Sequence, residues 1–346
     1  MNVAILGFGA YVPKYRIKVA DIAAVWGKNA IEVEKSLGLL EKSVTAPDED
    51  SVTQAFEAAR LAIISANIVP TSIDVCFVGS ESHPYAVNPT STIIAEFLGI
   101  GRNYLSVDLQ FACKAATAGI IAISGLIASG KASFGLIVGT DTAQAKPHDI
   151  LEYTASSAAA ACILGKDSDR GIATIIETSS YSSDTPDFWR RDGVKYPTHG
   201  GRFTGEPAYF THVIGAADLL LKKTKLSPSH FDYCIFHMPN GKFPRAVAKR
   251  LGFKDKQLAP SLIVEQIGNP YSASSLLGLA SVLQFAKPGQ LIFMVSYGSG
   301  AGADGFVLKV EKGIIQKRKV VPLIDDYIKD KKYISYVEYL RFGGKI

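Results

Sequence analysis

The chain has 346 residues, 47% of them apolar and 20% charged, with a formal net charge of +5. That length suits one large domain or two fused ones of about 150 residues each, with a substantial core. The lysines and arginines are scattered among acids, which argues against a nucleic-acid binder; only the segment from Lys309 to Lys345 mixes basic residues with aromatics.

The opening run "MNVAILGFGAYVP" lacks the charged region and small-residue cleavage site of a signal peptide and reads as a first strand. In chain order, "SVTQAFEAARLAIISAN" (51–67) reads as a helix and "IDVCFVG" (73–79) as a buried strand. A second helix follows in "KAATAGIIAISGLIASG" (114–130), then buried strands in "FGLIVGT" (134–140) and "AACILG" (160–165). Such alternation predicts an α/β architecture with a mixed or parallel sheet. The longest apolar stretch, Ala115 to Gly130, is too short and too rich in Gly, Ser and Thr to span a membrane. Cys76, Cys113, Cys162 and Cys234 form no CxxC pair and sit in apolar runs, which predicts free thiols in a reducing cytoplasm and no zinc site.

An internal repeat organises the chain. "SIDVCFVGSES" (72–82) resembles "HFDYCIFHMPN" (230–240), and "PTSTIIAEFLGI" (89–100) parallels "FPRAVAKRLGF" (243–253). "FACKAATAG" (111–119) lies opposite "IGNPYSASS" (267–275), each before a long apolar helix, and "SFGLIVGTD" (133–141) matches "QLIFMVSYG" (290–298). Two α/β halves related by a pseudo-twofold axis are therefore expected, at 1–166 and 167–310, with an extension at 311–346 that the two halves do not need. Cys113 follows Glu81 by 32 residues and Asn269 follows His237 by the same interval. If the halves superpose on that spacing, Cys113 matches Asn269, Glu81 matches His237, and all four can share one cleft.

Cys113 stands where a strand-like run becomes a small-residue helix. A helix N-terminus stabilises a thiolate, so a lowered thiol pKa and a nucleophilic role are expected. The other three cysteines lie mid-strand and read as core. Glu81 falls just past a strand end, where an apolar floor would raise its carboxyl toward neutrality for acid–base work. His237 occupies the corresponding end in "IFHMPNGKFPR", whereas His83, His148, His199, His212 and His230 show no comparable partners. Lys242 and Arg245 could meet an anionic ligand. "VSYGSGAGADGF" (295–306) is a glycine-rich turn suited to close backbone approach to a reacting carbonyl and not a nucleotide loop. The long charged and aromatic insertion at 184–210 reads as functional, with Arg202 and Thr204 as ligand contacts.

At these residues the chain resembles the thiolase superfamily and, within it, the 3-hydroxy-3-methylglutaryl-CoA (HMG-CoA) synthases of the short archaeal kind. The resemblance covers nearly the whole chain and rests on "GSESHPYAV", "FACKA", "DTPDFWRR", "RFTGEPAYF", "FHMPNGKFP", "IGNPYS" and "SYGSGAGADGF" taken together. It implies a thiolase-like fold of two pseudo-twofold related halves in αβαβα layers. It implies an acyltransferase that condenses acetyl-CoA with acetoacetyl-CoA in the mevalonate route to isoprenoids. Cys113 would carry the acetyl group, Glu81 would deprotonate its methyl, and His237 would polarise the acceptor ketone. Asn269 would bond the ligand thioester, and the backbone N–H groups of Cys113 and Ser299 would form the oxyanion hole. Thr154, Arg202, Thr204, Lys242 and Arg245, with Asn29 and Ala30, fall at positions used for acyl and CoA contacts. The resemblance further implies no metal, no cofactor beyond the CoA thioesters, a cytoplasmic homodimer, and a complex with acetoacetyl-CoA thiolase and a small zinc-ribbon/OB-fold protein, docked at or near the C-terminal extension.

The nearest alternative is a ketoacyl synthase, which decarboxylates malonyl groups without a glutamate base. A degradative thiolase fits less well, because this chain has no cysteine after Cys234. A catalytically silent scaffold in a thiolase complex is the alternative from outside enzymology.

Overall fold

The computed structural model describes residues 3–142, 145–166 and 170–346. Fourteen strands are numbered in chain order. In the first half lie β1 (Val3–Tyr11), β2 (Tyr15–Lys18), β3 (Glu41–Val44), β4 (Val75–Gly79), β5 (Leu105–Leu109), β6 (Phe134–Thr142) and β7 (Ser157–Gly165). In the second lie β8 (Ala173–Ser182), β9 (Phe188–Trp189), β10 (Thr198–His199), β11 (Tyr233–Phe236), β12 (Leu291–Val295) and β13 (Gly302–Val310), followed by β14 (Lys332–Tyr333). Nine of them make one sheet in the order β11-β12-β13-β8-β1-β7-β6-β4-β5.

The sheet reads alike from its middle outward. β4 and β6 are parallel, β6 and β7 antiparallel, β7 and β1 antiparallel. On the other side β11 and β12 are parallel, β12 and β13 antiparallel, β13 and β8 antiparallel. The two sets meet where β1 pairs antiparallel with β8, the relation a twofold axis through the sheet imposes. Side chains repeat the pattern. Asp74 accepts from the Ser133 and Phe134 N–H groups at 2.6 and 3.3 Å, fixing the start of β4 to that of β6. Asp232 accepts from the Leu291 N–H at 2.9 Å and does the same for β11 and β12. The helices Thr90–Leu98 and Lys242–Leu251 both end on a left-handed glycine, Gly99 and Gly252.

The helices Ala115–Ala128 and Ser274–Leu283 fill the middle layer; every residue of the second is buried. Ser51–Ala66 packs on β1, β6 and β7 from the outside, and Thr211–Thr224 packs on β8 and β13. Ala115–Ala128 lies close on the sheet because β4 and β6 end in glycine-bearing segments: a Cβ on Gly79 would sit 2.5 Å from the Ala116 nitrogen, and one on Gly139 would meet the Ala116 side chain at 2.9 Å. Each middle helix is entered through a residue of positive φ, Ala112 and Tyr271, both at +43°.

These matches correct the register expected from spacing. Aligning Ala112 with Tyr271 sets Cys113 opposite Ser272, three residues past Asn269. Aligning Asp74 with Asp232 sets His237 opposite Gly79, two residues short of Glu81. The halves share a frame, but the loops that carry their polar groups differ in length. The extension is also more than an appendage: Ile314, Val321, Ile324, Ile334 and Tyr339 join the main core, and β14 pairs with β2. Among the described residues no helix is long and apolar enough to cross a membrane.

Candidate active site

Cys113 follows β5 directly after the strained Ala112 and is 8% exposed. The helix begins only at Ala115, so the thiol stands ahead of its first turn. Burial pushes the thiol well above its ordinary value, and the carboxylates of Asp141, Glu81 and Asp187 push it further. The lowered thiol pKa expected from the helix end is thus reversed: burial, reinforced by three acidic neighbours, holds the thiol above its ordinary value. Beside it, Lys114 is buried and donates to both oxygens of Asp304 at 2.9 Å, joining the Cys113 segment to β13 across the halves. Thr117 and Ser180 donate to the same carboxylate.

Glu81 is placed by Asp141, a group that the sequence reading missed. The buried Asp141 carboxylate, near the end of β6, accepts from the Glu81 N–H at 2.8 Å and from the Ser80 and Ser82 hydroxyls at 3.0 and 2.7 Å. It also accepts from the Ser272 N–H at 2.9 Å, so one side chain holds loops from both halves. Burial first, then the charge of Asp141, raises the Glu81 carboxyl to about 7, with the Ala112 N–H and Arg190 opposing the shift. The Ala112 contact brings the carboxyl to the residue preceding Cys113. Its Oε1 is buried without a partner, and Arg190 of the insertion donates to the Glu81 carbonyl at 3.1 Å.

His237 follows β11; its N–H donates to the Val295 carbonyl at 2.9 Å and its carbonyl accepts from the Tyr209 hydroxyl at 2.7 Å. The imidazole lies among aromatic rings, 6.5 Å from Tyr209 and 6.2 Å from Tyr297 between centroids. Burial alone lowers its pKa to about 3, so the ring is neutral, and its buried Nδ1 has no partner. Asn269 donates its N–H to the Thr154 carbonyl at 2.8 Å, and its Oδ1 accepts from the Tyr271 N–H at 3.1 Å. A second unforeseen acid, Asp187, accepts from the Tyr297 hydroxyl at 2.7 Å and the Gly300 N–H at 2.8 Å, tying the insertion to the glycine-rich turn. The tie was hidden in the sequence because both partners lie more than a hundred residues away.

Cys113, His237, Asn269, Thr154, Thr204 and Ser299 line one cavity of about 440 Å³, walled by apolar side chains that include Leu151 and Phe243. Glu81 lines an adjoining, polar chamber of about 530 Å³ with Asp141, Arg190, Lys195 and His83; Phe188, Tyr271 and Ser299 border both. His83 has partners after all: Thr90 Oγ1 at 2.8 Å and Asp108 at 3.3 Å. Of the other histidines, His148 stacks on Trp26, His199 meets Asp149 and His212 contacts Ser183. Asn29 caps the helix Ala30–Leu37; neither it nor Ala30 is among the described residues lining these cavities, although Leu37 is. Lys242 opens the helix after His237, and Arg245 pairs with Glu265 at the surface. The Arg202 side chain lies outside the described residues. Among the described residues no group of three or more His, Cys, Asp or Glu is placed to hold a metal ion.

A buried cysteine, a neutral histidine and an asparagine around an apolar cavity, on a duplicated α/β frame, define a condensing enzyme of the thiolase-like class. Residues 221–310 match the family model described as 3-oxoacyl-[acyl-carrier-protein] synthase III C terminal. The structure is similar to that of MvaS in complex with 3-hydroxy-3-methylglutaryl coenzyme A, with a TM-score of 0.90 at 25% identity over 99% of this chain and 91% of that one. It shares its fold with 3-oxoacyl-(acyl carrier protein) synthase III from Pseudomonas aeruginosa, with a TM-score of 0.81 at 21% identity over 90% of this chain and 98% of that one. In sequence it is 50% identical to hydroxymethylglutaryl-CoA synthase of Methanopyrus kandleri, over 100% of this chain and 98% of that protein. It is 51% identical to the synthase of the same name from Methanothermobacter thermautotrophicus, over 99% and 98%. The chain belongs to the hydroxymethylglutaryl-CoA synthase family and is an acyltransferase.

Proposed function

We propose that the cavity carries out the condensation of acetyl-CoA with acetoacetyl-CoA to (3S)-HMG-CoA through an acetyl-Cys113 intermediate. Cys113 sulfur attacks the acetyl thioester carbonyl while the neutral His237 accepts the cysteine proton. His237 passes that proton to the CoA sulfur, so that CoA leaves as the thiol and the imidazole is neutral again. The Glu81 carboxylate then removes a methyl proton from acetyl-Cys113, giving an enolate whose carbon bonds to the ketone carbon of acetoacetyl-CoA. An imidazole N–H of His237 hydrogen-bonds to the ketone oxygen as charge develops there, and the proton held by Glu81 passes to that oxygen, giving the tertiary hydroxyl and restoring the carboxylate. Water adds to the remaining Cys113 thioester, releasing the HMG carboxylate and restoring the thiol. The N–H groups of Cys113 and Ser299 stabilise the oxyanion in both thioester steps. Asn269 and Thr154 hold the acceptor thioester; Thr204, Arg202, Lys242, Arg245, Asn29 and Ala30 serve the CoA arm. Covalent capture suits this chemistry because a thioester acidifies its methyl group and the fixed carboxylate makes proton removal intramolecular.

The observation that carries this reading is the Glu81 carboxyl, raised to about 7 and facing the Ala112 N–H beside Cys113. A ketoacyl synthase has no need of such a base. The reaction requires no cofactor beyond its CoA thioesters. The proposed working unit is a cytoplasmic homodimer, divided within each subunit near residues 166 and 310, and associated with acetoacetyl-CoA thiolase and a zinc-ribbon/OB-fold protein. Four buried cysteines without disulfides are in keeping with a reducing compartment.

Incubation with acetyl-CoA followed by intact mass and peptide mapping tests the reading. It expects one acetyl group on Cys113, with release of HMG-CoA only after acetoacetyl-CoA is added. An adduct on another residue, or none, overturns it.

A further inference from the structure

The C-terminal extension reaches the wall of the substrate cavity through one buried carboxylate. Glu152 is fully buried in the short turn Ile150–Tyr153, whose Ile150 and Leu151, with Thr154 just after, face the cavity. Its Oε2 accepts from the Trp26 indole N–H and the His148 N–H, each at 3.0 Å, and its Oε1 from the Tyr336 hydroxyl of the extension at 3.1 Å. Lys42, itself buried, donates to the Glu152 main-chain carbonyl and, at 3.2 Å, meets the hydroxyl of Tyr339. The turn is thereby held on its side-chain oxygens by Tyr336 of the extension together with Trp26 and His148, and on a main-chain oxygen by Lys42, which also meets Tyr339 of the extension.

What the turn holds is the acceptor side of the site. The Leu151 carbonyl accepts from the Thr154 and Ala155 N–H groups, and the Thr154 carbonyl accepts from Asn269 at 2.8 Å. The Asn269 carbonyl in turn accepts from Ser156 at 3.0 Å. Cys113 is anchored elsewhere, through Ala112 and the Lys114–Asp304 pair. We infer that Glu152, clamped by Tyr336, is a positioning residue that sets Thr154 and Asn269 for the acceptor thioester, so that the C-terminal extension is a working wall of the acceptor site. This rests on the reading of the Cys113 cavity as the condensation site.

The test uses the full-length protein with Glu152→Ala, Glu152→Gln and Tyr336→Phe, measuring acetylation of Cys113 by acetyl-CoA and steady-state condensation on the same samples. Glu152→Ala is expected to leave Cys113 acetylation within about twofold of wild type while lowering kcat/KM for acetoacetyl-CoA roughly ten- to hundredfold through a raised KM, the scale of sub-ångström to ångström misplacement. Tyr336→Phe is expected to do the same about three- to fivefold, one of the hydrogen bonds that hold Glu152 being lost while its Trp26 and His148 donors remain. Glu152→Gln keeps an acceptor for Trp26 and His148 and restores most of the loss. Should Glu152→Ala fail to fold, Tyr336→Phe decides the question. The proposal is overturned if Tyr336→Phe and Glu152→Gln both match wild type and Glu152→Ala loses turnover only in proportion to its acetylatable fraction, with KM unchanged. If wild type itself is not acetylated on Cys113, the site reading fails and not the role of the extension.

Discussion

The loops after β4 and β11 carry an acid and a base, the first partly buried and the second almost wholly so, and in both desolvation is the largest force favouring the neutral form. At the first, Glu81 shares a polar chamber with Asp141, and desolvation reinforced by that like charge lifts its carboxyl to about 7. At the second, His237 is ringed by Tyr209 and Tyr297, and desolvation alone takes the imidazole to about 3. The first group is left poised to gain and lose a proton near neutrality, the second is fixed as a neutral donor and acceptor. The shared frame supplies two strand ends, and the lining of the loop after each decides which group titrates in the working range.

The largest break in this contrast comes from Glu81→Gln. Condensation should fall by about 10²- to 10⁴-fold, the usual worth of a positioned base, with Cys113 still acetylated. In wild type, kcat/KM should rise with pH through about 7 as the carboxyl ionises, a limb the variant lacks. A variant that condenses at the wild-type rate would return the protein to the glutamate-independent chemistry of ketoacyl synthases.

Asp141→Asn sharpens the comparison by removing only the like charge. The Glu81 carboxyl should drop toward its ordinary range and the acid limb should move to lower pH. Turnover should fall roughly ten- to hundredfold as the 80–82 loop loses acceptors. An unmoved limb would mean that desolvation acts alone at both strand ends.

Stability shows the same asymmetry. The folded chain holds the Glu81 proton to higher pH than the unfolded chain does. The stabilisation this gives is complete below pH 4.5 and is lost as pH rises to about 7. Above that the buried charge opposes folding, so Glu81→Gln should be the more stable protein at pH 8, by on the order of 3 kcal/mol at most, and the gap should close by pH 5. Thermal melts at the two pH values measure it; equal gaps would contradict the burial assigned to Glu81. The smallest effect is expected from Tyr209→Phe, which removes the hydroxyl that donates to the His237 carbonyl and should cost about 1 kcal/mol in a melt with a few-fold loss of turnover. A loss as large as that of Glu81→Gln would show that the aromatic ring system does more than desolvate.

Much of the frame was legible because periodic apolar runs mark buried strands and helices, and because Asp74 and Asp232 do the same structural work in both halves. Cys113, His237 and Asn269 were legible as residues standing at strand-to-helix junctions. What the sequence concealed depends on distance along the chain. Asp141 and Asp187 look like ordinary loop acids until the backbone donors they satisfy are brought in from remote segments. His83 looked solitary because Asp108 lies on the next strand. The direction of the thiol's pKa was misjudged because helix position is local, whereas the burial that raises it, and the three carboxylates that reinforce it, arrive by folding. Ile314, Ile324 and Tyr339 passed for an appendage because the core they join is assembled from residues of both halves, many of them remote in the chain.

The Lys114–Asp304 pair bears on how such a chain can be divided. Its charges come from opposite sides of the junction between β1 and β8, and both side chains are nearly sealed from water. A chain severed between β7 and β8 would leave each fragment with an uncompensated buried ion and an open sheet edge, both strongly unfavourable in isolation. The two pieces, made together, have a common incentive to reassociate, and regained acetylation of Cys113 would report it. On this geometry each half completes a buried charge pair of the other.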